Sequence, residues 1–201
     1  WSVVTAPQGE NFVIERTPDK LSSLRLQGWV EGEAASSLFR AAGLDLAKLR
    51  LAARASGFRP VEMKGARFSA AIPVQHEIVE SRNVLAKISG ASAPQEAVMF
   101  GAHWDAYGIG EPDKDGKTVR GGANDDAMGV AGLLEIARLM KAGPAPRRTA
   151  LFAFWTAEER GLLGSEYYAA NPLFPAEKIA ANLTIDVLQT AGKAKDVLLI
   201  G

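Results

Sequence analysis

The chain has 201 residues, with 23 Lys plus Arg against 23 Asp plus Glu and no cysteine. Zero net charge leaves no global basic field to hold nucleic acid or anionic lipid, and without Cys there are no disulfides, thiolate ligands or cysteine nucleophile. Hydrophobic residues at 47% and charged residues at 23% are the mixture of a folding domain, so a core is expected, and any bound metal must take His, Asp or Glu.

The opening run WSVVTAPQGE starts on Trp1 and lacks the basic start and apolar block of a secretory signal. The natural N-terminus is expected to lie upstream. Turn-prone residues follow around Pro7, Gly9, Pro18 and Asp19, and then LRLQGWV, residues 24–30, which reads as a strand. From Ala34 to Ala55, Leu38, Ala41, Ala42, Leu46, Leu49 and Leu51 recur at helical spacing, split by Gly43 and restarted at Asp45. Two short helices are predicted there, closing a small accessory domain over residues 1–65.

From Phe68 the rhythm changes to extended runs alternating with helices. Ala70–Val79, Asn83–Ile88, AVMFGAHW at 97–104 and TALFAFWTA at 149–157 read as strands. Between the last two lies a helix over residues 126–143, with Val130, Leu133, Leu134, Ala137 and Met140 on one face and a stop at Gly143-Pro144. A second helix in GLLGSEYYAANP and a strand in IAANLTIDVLQT complete the βαβ pattern, and KDVLLIG reads as a last strand cut at Gly201. Residues 66–201 are thus predicted to be α/β, a mostly parallel mixed sheet flanked by helices and incomplete at its C-terminus. No apolar run approaches the roughly 20 residues that span a bilayer, so no membrane insertion is expected.

Ligands of such sheets bind outside the carboxyl ends of the strands. Four places there carry chemistry: His103 and Asp105 after AVMFGA, Asp125 and Asp126 before the long helix, Glu158 and Glu159 after TALFAFWTA, and Asp186 in NLTIDV. One imidazole with several carboxylates suits Zn, Mn or Co. Each piece also has a plainer reading, as a histidine bonded to a turn, a helix N-cap or a solvated helix start. Their order and shared placement favour a common site. Gly121-Gly122 lacks the Lys-Ser/Thr of a phosphate loop. Ser165 lacks a nucleophile elbow, and His76 reads as one face of an early strand.

The runs GAHWD, GGANDDAMG, TAEERGLLGSEYY and NLTID resemble the zinc-dependent exopeptidase family that includes bacterial secreted aminopeptidases, glutamate carboxypeptidase and the transferrin receptor. The resemblance covers residues 66–201. Residues 1–65 resemble the end of a protease-associated domain, which some bacterial members insert before the catalytic core. By motif, the resemblance implies His103 and Asp186 on a first metal, Asp125 bridging two metals and Glu159 on the second. Glu158 would be the general base, and Asp105 the carboxylate orienting His103. It implies two Zn ions in a complete site and a peptide substrate. The family's second metal also takes a later histidine, and no residue after Asp186 is His, so the isolated chain is expected to be inactive. The activity implied is aminopeptidase action, with a carboxypeptidase of the same family, or a non-catalytic receptor on this fold, as alternatives. Members with an inserted protease-associated domain are usually exported, which implies a periplasmic, secreted or surface location.

Overall fold

A computed structural model describes residues 11–15, 28–188, 190, 192, 193 and 195. The chain divides into two compact units, Thr17–Ile78 on the one hand and Trp1–Arg16 with Val79–Gly201 on the other.

In the smaller unit, helices α1 (Gly32–Ala41) and α2 (Leu46–Ala52) stand where the helical spacing puts them. Gly43 turns the chain between them at φ 73°, a conformation that costs a glycine little. Asp45 then caps α2 by accepting the Lys48 amide at 3.0 Å. The strand read in residues 24–30 lies mainly outside the described residues, and its described part, 28–30, has no regular structure.

The larger unit carries β1 (Val84–Ile88), β2 (Ala93–His103), the two-residue strands β3 (Gly108–Ile109) and β4 (Val119–Arg120), α3 (Met128–Ala142), β5 (Arg148–Trp155), α4 (Leu163–Ala170) and β6 (Ile179–Thr184). Four strands form one sheet in the order β1-β5-β2-β6. β2 runs parallel to both neighbours, β5 and β6, and β1 pairs antiparallel with β5, so the sheet is mixed and mostly parallel. β3 and β4 pair as a separate ribbon.

The strand period of two sorts the core onto two faces. Met99, Leu151, Ala153 and Trp155 pack with Tyr168 of α4 on one face, while Ala102, Ala150 and Phe152 pack with Leu133 of α3 on the other. Phe152 stacks on Phe100 with ring centroids 5.5 Å apart. The helix face differs from the predicted one at a single position. Leu134 is exposed, and Ile136 packs with Val130, Leu133, Ala137 and Met140 instead.

Ala70–Val79, predicted as a strand, is irregular, and Ile72, Val74, Ile78 and Val79 along it are exposed. His76 is exposed there too. Alternation supplies a face to bury, but a strand also needs a neighbour to take its backbone hydrogen bonds, and no described strand pairs with this run. The predicted final strand, KDVLLIG, lies outside the described residues apart from Lys195. No helix among the described residues is long and apolar enough to cross a membrane.

Phe152→Ala removes a ring that is 2% exposed, and should lower the unfolding free energy by about 3–5 kcal/mol in urea titration. Leu134→Ala, on the open side of α3, should stay within about 0.5 kcal/mol.

Candidate metal centre

The three parallel strands β5, β2 and β6 end on one rim of the sheet. The chain leaves β2 through α3 to reach β5 on one side and returns through α4 to β6 on the other, so the end of β2 is a topological switch point. His103 is the last residue of β2, Glu158 and Glu159 follow β5, and Asp186 follows β6. Asp125 and Asp126 occupy the turn Ala123–Ala127 before α3, both at non-helical backbone angles and joined by a cis peptide.

The His103 ring is 2% exposed, and three carboxylates face its Nε2. Asp125 Oδ1 lies 3.0 Å away, Asp186 Oδ1 3.6 Å and Glu158 Oε2 3.8 Å. On the other side of the ring, Nδ1 meets the backbone carbonyl of Asp105 at 3.1 Å, with the Asp105 carboxylate at 3.7 Å. That carboxylate accepts the amides of Glu158 and Glu159, at 3.0 and 3.2 Å. Asp105 therefore holds the glutamate turn through its side chain and the imidazole through its backbone.

Asp126 is 1% exposed. It accepts the His103 amide on Oδ2 at 3.1 Å and the Gly129 amide on Oδ1 at 3.0 Å. It thus caps the first turn of α3 and also ties that turn to the end of β2. The second tie spans 23 residues, and nothing in the local pattern announces it. Gly129 makes room: a Cβ there would lie 2.3 Å from Asp126 Oδ1.

The turn carrying the glutamates is strained. Ala157 and Leu162 stand at φ 51° and 62°, a left-handed conformation that costs an L-residue about 1–2 kcal/mol. Such residues persist where their surroundings over-determine them.

The electrostatics follow from crowding. Burial raises the Glu158 carboxyl above its usual range, His103 works against this, and Asp186, Asp105 and Asp125 add to it. Burial likewise raises Glu159, and Tyr107 partly opposes it; the Tyr107 phenol is itself raised by the Glu159 carboxylate beside it. Burial raises Asp126 too, against the pull of its two amide partners. For His103, burial disfavours the charged ring, but Glu158, Asp126, Asp125 and Asp105 outweigh it and the imidazole is raised.

Among the described residues, no lysine or arginine pairs with Asp105, Asp125, Asp126, Glu158, Glu159 or Asp186. Two donor sets share the imidazole: His103, Asp125 and Asp186, and His103, Glu158 and Glu159, each with one ligand atom per residue within 4.8 Å of the others. Glu159 Oε1 is buried without a hydrogen-bond partner. An orphaned buried carboxylate oxygen and a nitrogen-oxygen donor set both suit a zinc-class cation. All seven residues at the four places singled out in the sequence meet at this rim. Asn83, whose side chain bonds the ends of the glutamate loop, and the strand-tying role of Asp126 were not foreseen.

Comparison with known proteins bears on the same stretch. Residues 83–200 match the model of Peptidase family M28. The Vacuolar membrane protease of Candida dubliniensis is 35% identical over 115 residues, covering 57% of this chain and 11% of that protein. Aminopeptidase NAALADL1 of Mus musculus is 38% identical over 117 residues, covering 55% and 14%, and the Probable zinc metalloprotease of Pyrenophora teres f. teres is 33% identical over 118 residues, covering 59% and 24%. The matches thus span 11–24% of the length of these relatives. A solved leucine aminopeptidase precursor from Bacteroides thetaiotaomicron has 29% identity and a TM-score of 0.44, covering 53% of this chain and 42% of that one. The relatives overturn the expectation of export, since those from Candida and Clavispora are named for the vacuolar membrane. Location is written in sorting and anchoring segments, so a resemblance carried by catalytic motifs was no guide to it. With its model matched over more than half of the sequence, the chain belongs to peptidase family M28.

Proposed function

We propose that this chain carries the metal-binding rim of a zinc-dependent exopeptidase, acting as an aminopeptidase on the N-terminal bonds of peptides. The observation that carries the reading is the buried His103 Nε2, faced by Asp125, Asp186 and Glu158 within 3.8 Å. Family membership and relatives named as an aminopeptidase and a zinc metalloprotease support it.

In this reading His103, Asp125 and Asp186 would hold one zinc ion, and Glu159, with its orphaned Oε1, would hold a second together with Asp125. Zinc at such a centre polarises a carbonyl and lowers the pKa of water. Glu158 would be the general base, taking a proton from the attacking water and delivering it to the leaving amine, with a carboxyl that burial raises above its usual range. Asp105 fixes the distance between the base and the ligand glutamate by holding both of their amides.

Elemental analysis after zinc loading and dialysis tests the centre. The chain should retain zinc, His103→Ala should lose the ion held with Asp186, and Glu158→Gln should keep it. A wild-type chain without zinc would sink the reading. In the whole protein, Glu158→Gln should slow the hydrolysis of aminoacyl substrates by about 100- to 10,000-fold.

The metal-free chain should also lose stability as pH rises. Glu158, Glu159, Asp126 and His103 all keep their protons to higher pH when folded. The folded chain therefore binds more protons than the unfolded one from the carboxylate range to above the ordinary imidazole range, and stability falls across that window. Melting temperature should drop as pH rises from the ordinary carboxylate range through the ordinary imidazole range. Zinc at about 100 times its dissociation constant should restore about 2.7 kcal/mol.

A further inference from the structure

We propose that Asn83 is a positioning residue for the glutamates of this centre, acting through the neck of the loop that carries them. The inference rests on the metal-centre reading above.

The loop runs from Thr156 to Gly164 and is closed at its base by the Gly164 amide donating to the Thr156 carbonyl at 3.0 Å. The Asn83 side chain extends this closure. Its Oδ1 accepts the Thr156 amide at 3.1 Å, and its Nδ2 donates to the Gly164 carbonyl at 2.8 Å. One amide thus serves both ends of the loop, as a neighbouring strand's peptide group would. Ser81 adds a hydroxyl contact to Thr156 Oγ1 at 2.5 Å, and the Arg82 carbonyl accepts Trp104 Nε1 at 3.2 Å. Residues 81–83 therefore strap the end of β5 to the residue after His103.

The neck has no slack. A Cβ on Gly164 would lie 2.3 Å from the Thr156 carbonyl oxygen and 2.5 Å from Asn83 Oδ1. Inside the loop, the Leu163 amide donates to the Ala157 carbonyl, and the Gly161 and Leu162 amides both donate to the Glu158 carbonyl. Ala157 and Leu162 hold positive φ just within the neck. Asp105 pins the crown at the amides of Glu158 and Glu159. Asn83 pins the ends, and a strained loop held only at its crown can relax through them. Asparagine meets the requirement because it presents an acceptor and a donor in one plane. Aspartate keeps the acceptor but turns an oxygen toward the Gly164 carbonyl.

Cobalt(II) binding to the full chain provides the test, with affinity and visible absorption read together for wild type, Asn83→Asp, Ser81→Ala and Glu159→Gln. Asn83→Asp should weaken cobalt binding by about tenfold or more and change the absorption in the direction of Glu159→Gln. Ser81→Ala, the milder lesion, should shift both the same way to a smaller extent, and it decides the matter if Asn83→Asp does not fold. Wild-type affinity and spectrum in a folded Asn83→Asp, even with a lower melting temperature, would make Asn83 a packing residue and overturn the inference. Absence of cobalt binding by the wild type would overturn the metal-centre reading and this inference with it.

Discussion

Like charge held at close range is the constraint on which the larger unit depends. Donor atoms of Asp125 and Asp186, and of Glu158 and Glu159, stand within 4.8 Å of each other around one imidazole. Two unit charges at about 4 Å repel by about 4 kcal/mol at an effective dielectric of about 20. A hydrogen bond to a charged group returns about 1.5–3 kcal/mol, so amide donors alone do not offset the crowding. Without metal, burial raises Glu158 and Glu159 and the neighbouring carboxylates add to it, while the same carboxylates raise His103 against its burial. A divalent cation bound there would displace protons from these groups and relieve the repulsion, which would couple metal binding to both pH and stability.

The sheet delivers these groups to one rim because β5, β2 and β6 run the same way. Parallel strands need helical crossovers, and those crossovers place every strand-to-helix turn on one side. Ligand position then becomes a matter of how each strand ends. The His103 amide goes to Asp126, the Ile185 amide to the Gly101 carbonyl and the Trp104 amide to the Trp155 carbonyl. The backbone that leaves the sheet is thereby held by the protein's own hydrogen bonds, as the proposed metal centre would require.

Much of this was legible in one dimension, and what was not has a common cause. The apolar runs at 97–104 and 149–157 are the long buried strands because continuous hydrophobicity answers to burial on both faces. The residues after them could be picked out because a strand's end is visible in its own sequence. Ala70–Val79 misled because alternation records a face and not a partner. Leu134 misled because it stands next to Leu133 and near Ala137, and only the packed sheet shows that Ile136 closes the stripe. Asn83 and the second role of Asp126 were unreadable for the same physical reason. Their partners lie 81 and 23 residues away, and polar side chains that serve distant backbone leave no periodic trace.

Bringing two adjacent glutamates to one imidazole explains why the loop is worth its strain. A regular helix or strand would set Glu158 and Glu159 at fixed, widely separated directions, whereas the turn between β5 and α4 brings both toward His103 and leaves Glu159 Oε1 buried without a hydrogen-bond partner. The positive φ values at Ala157 and Leu162 are the local cost, and it is offset by bonds that come from outside the loop. Asp105 reaches in from the end of β2 and Asn83 from the start of β1. The ends of β2 and β1 thus brace the loop that follows β5. On the proposed roles, the distinction between Glu158 as base and Glu159 as ligand would rest on that bracing as well as on each glutamate's own surroundings.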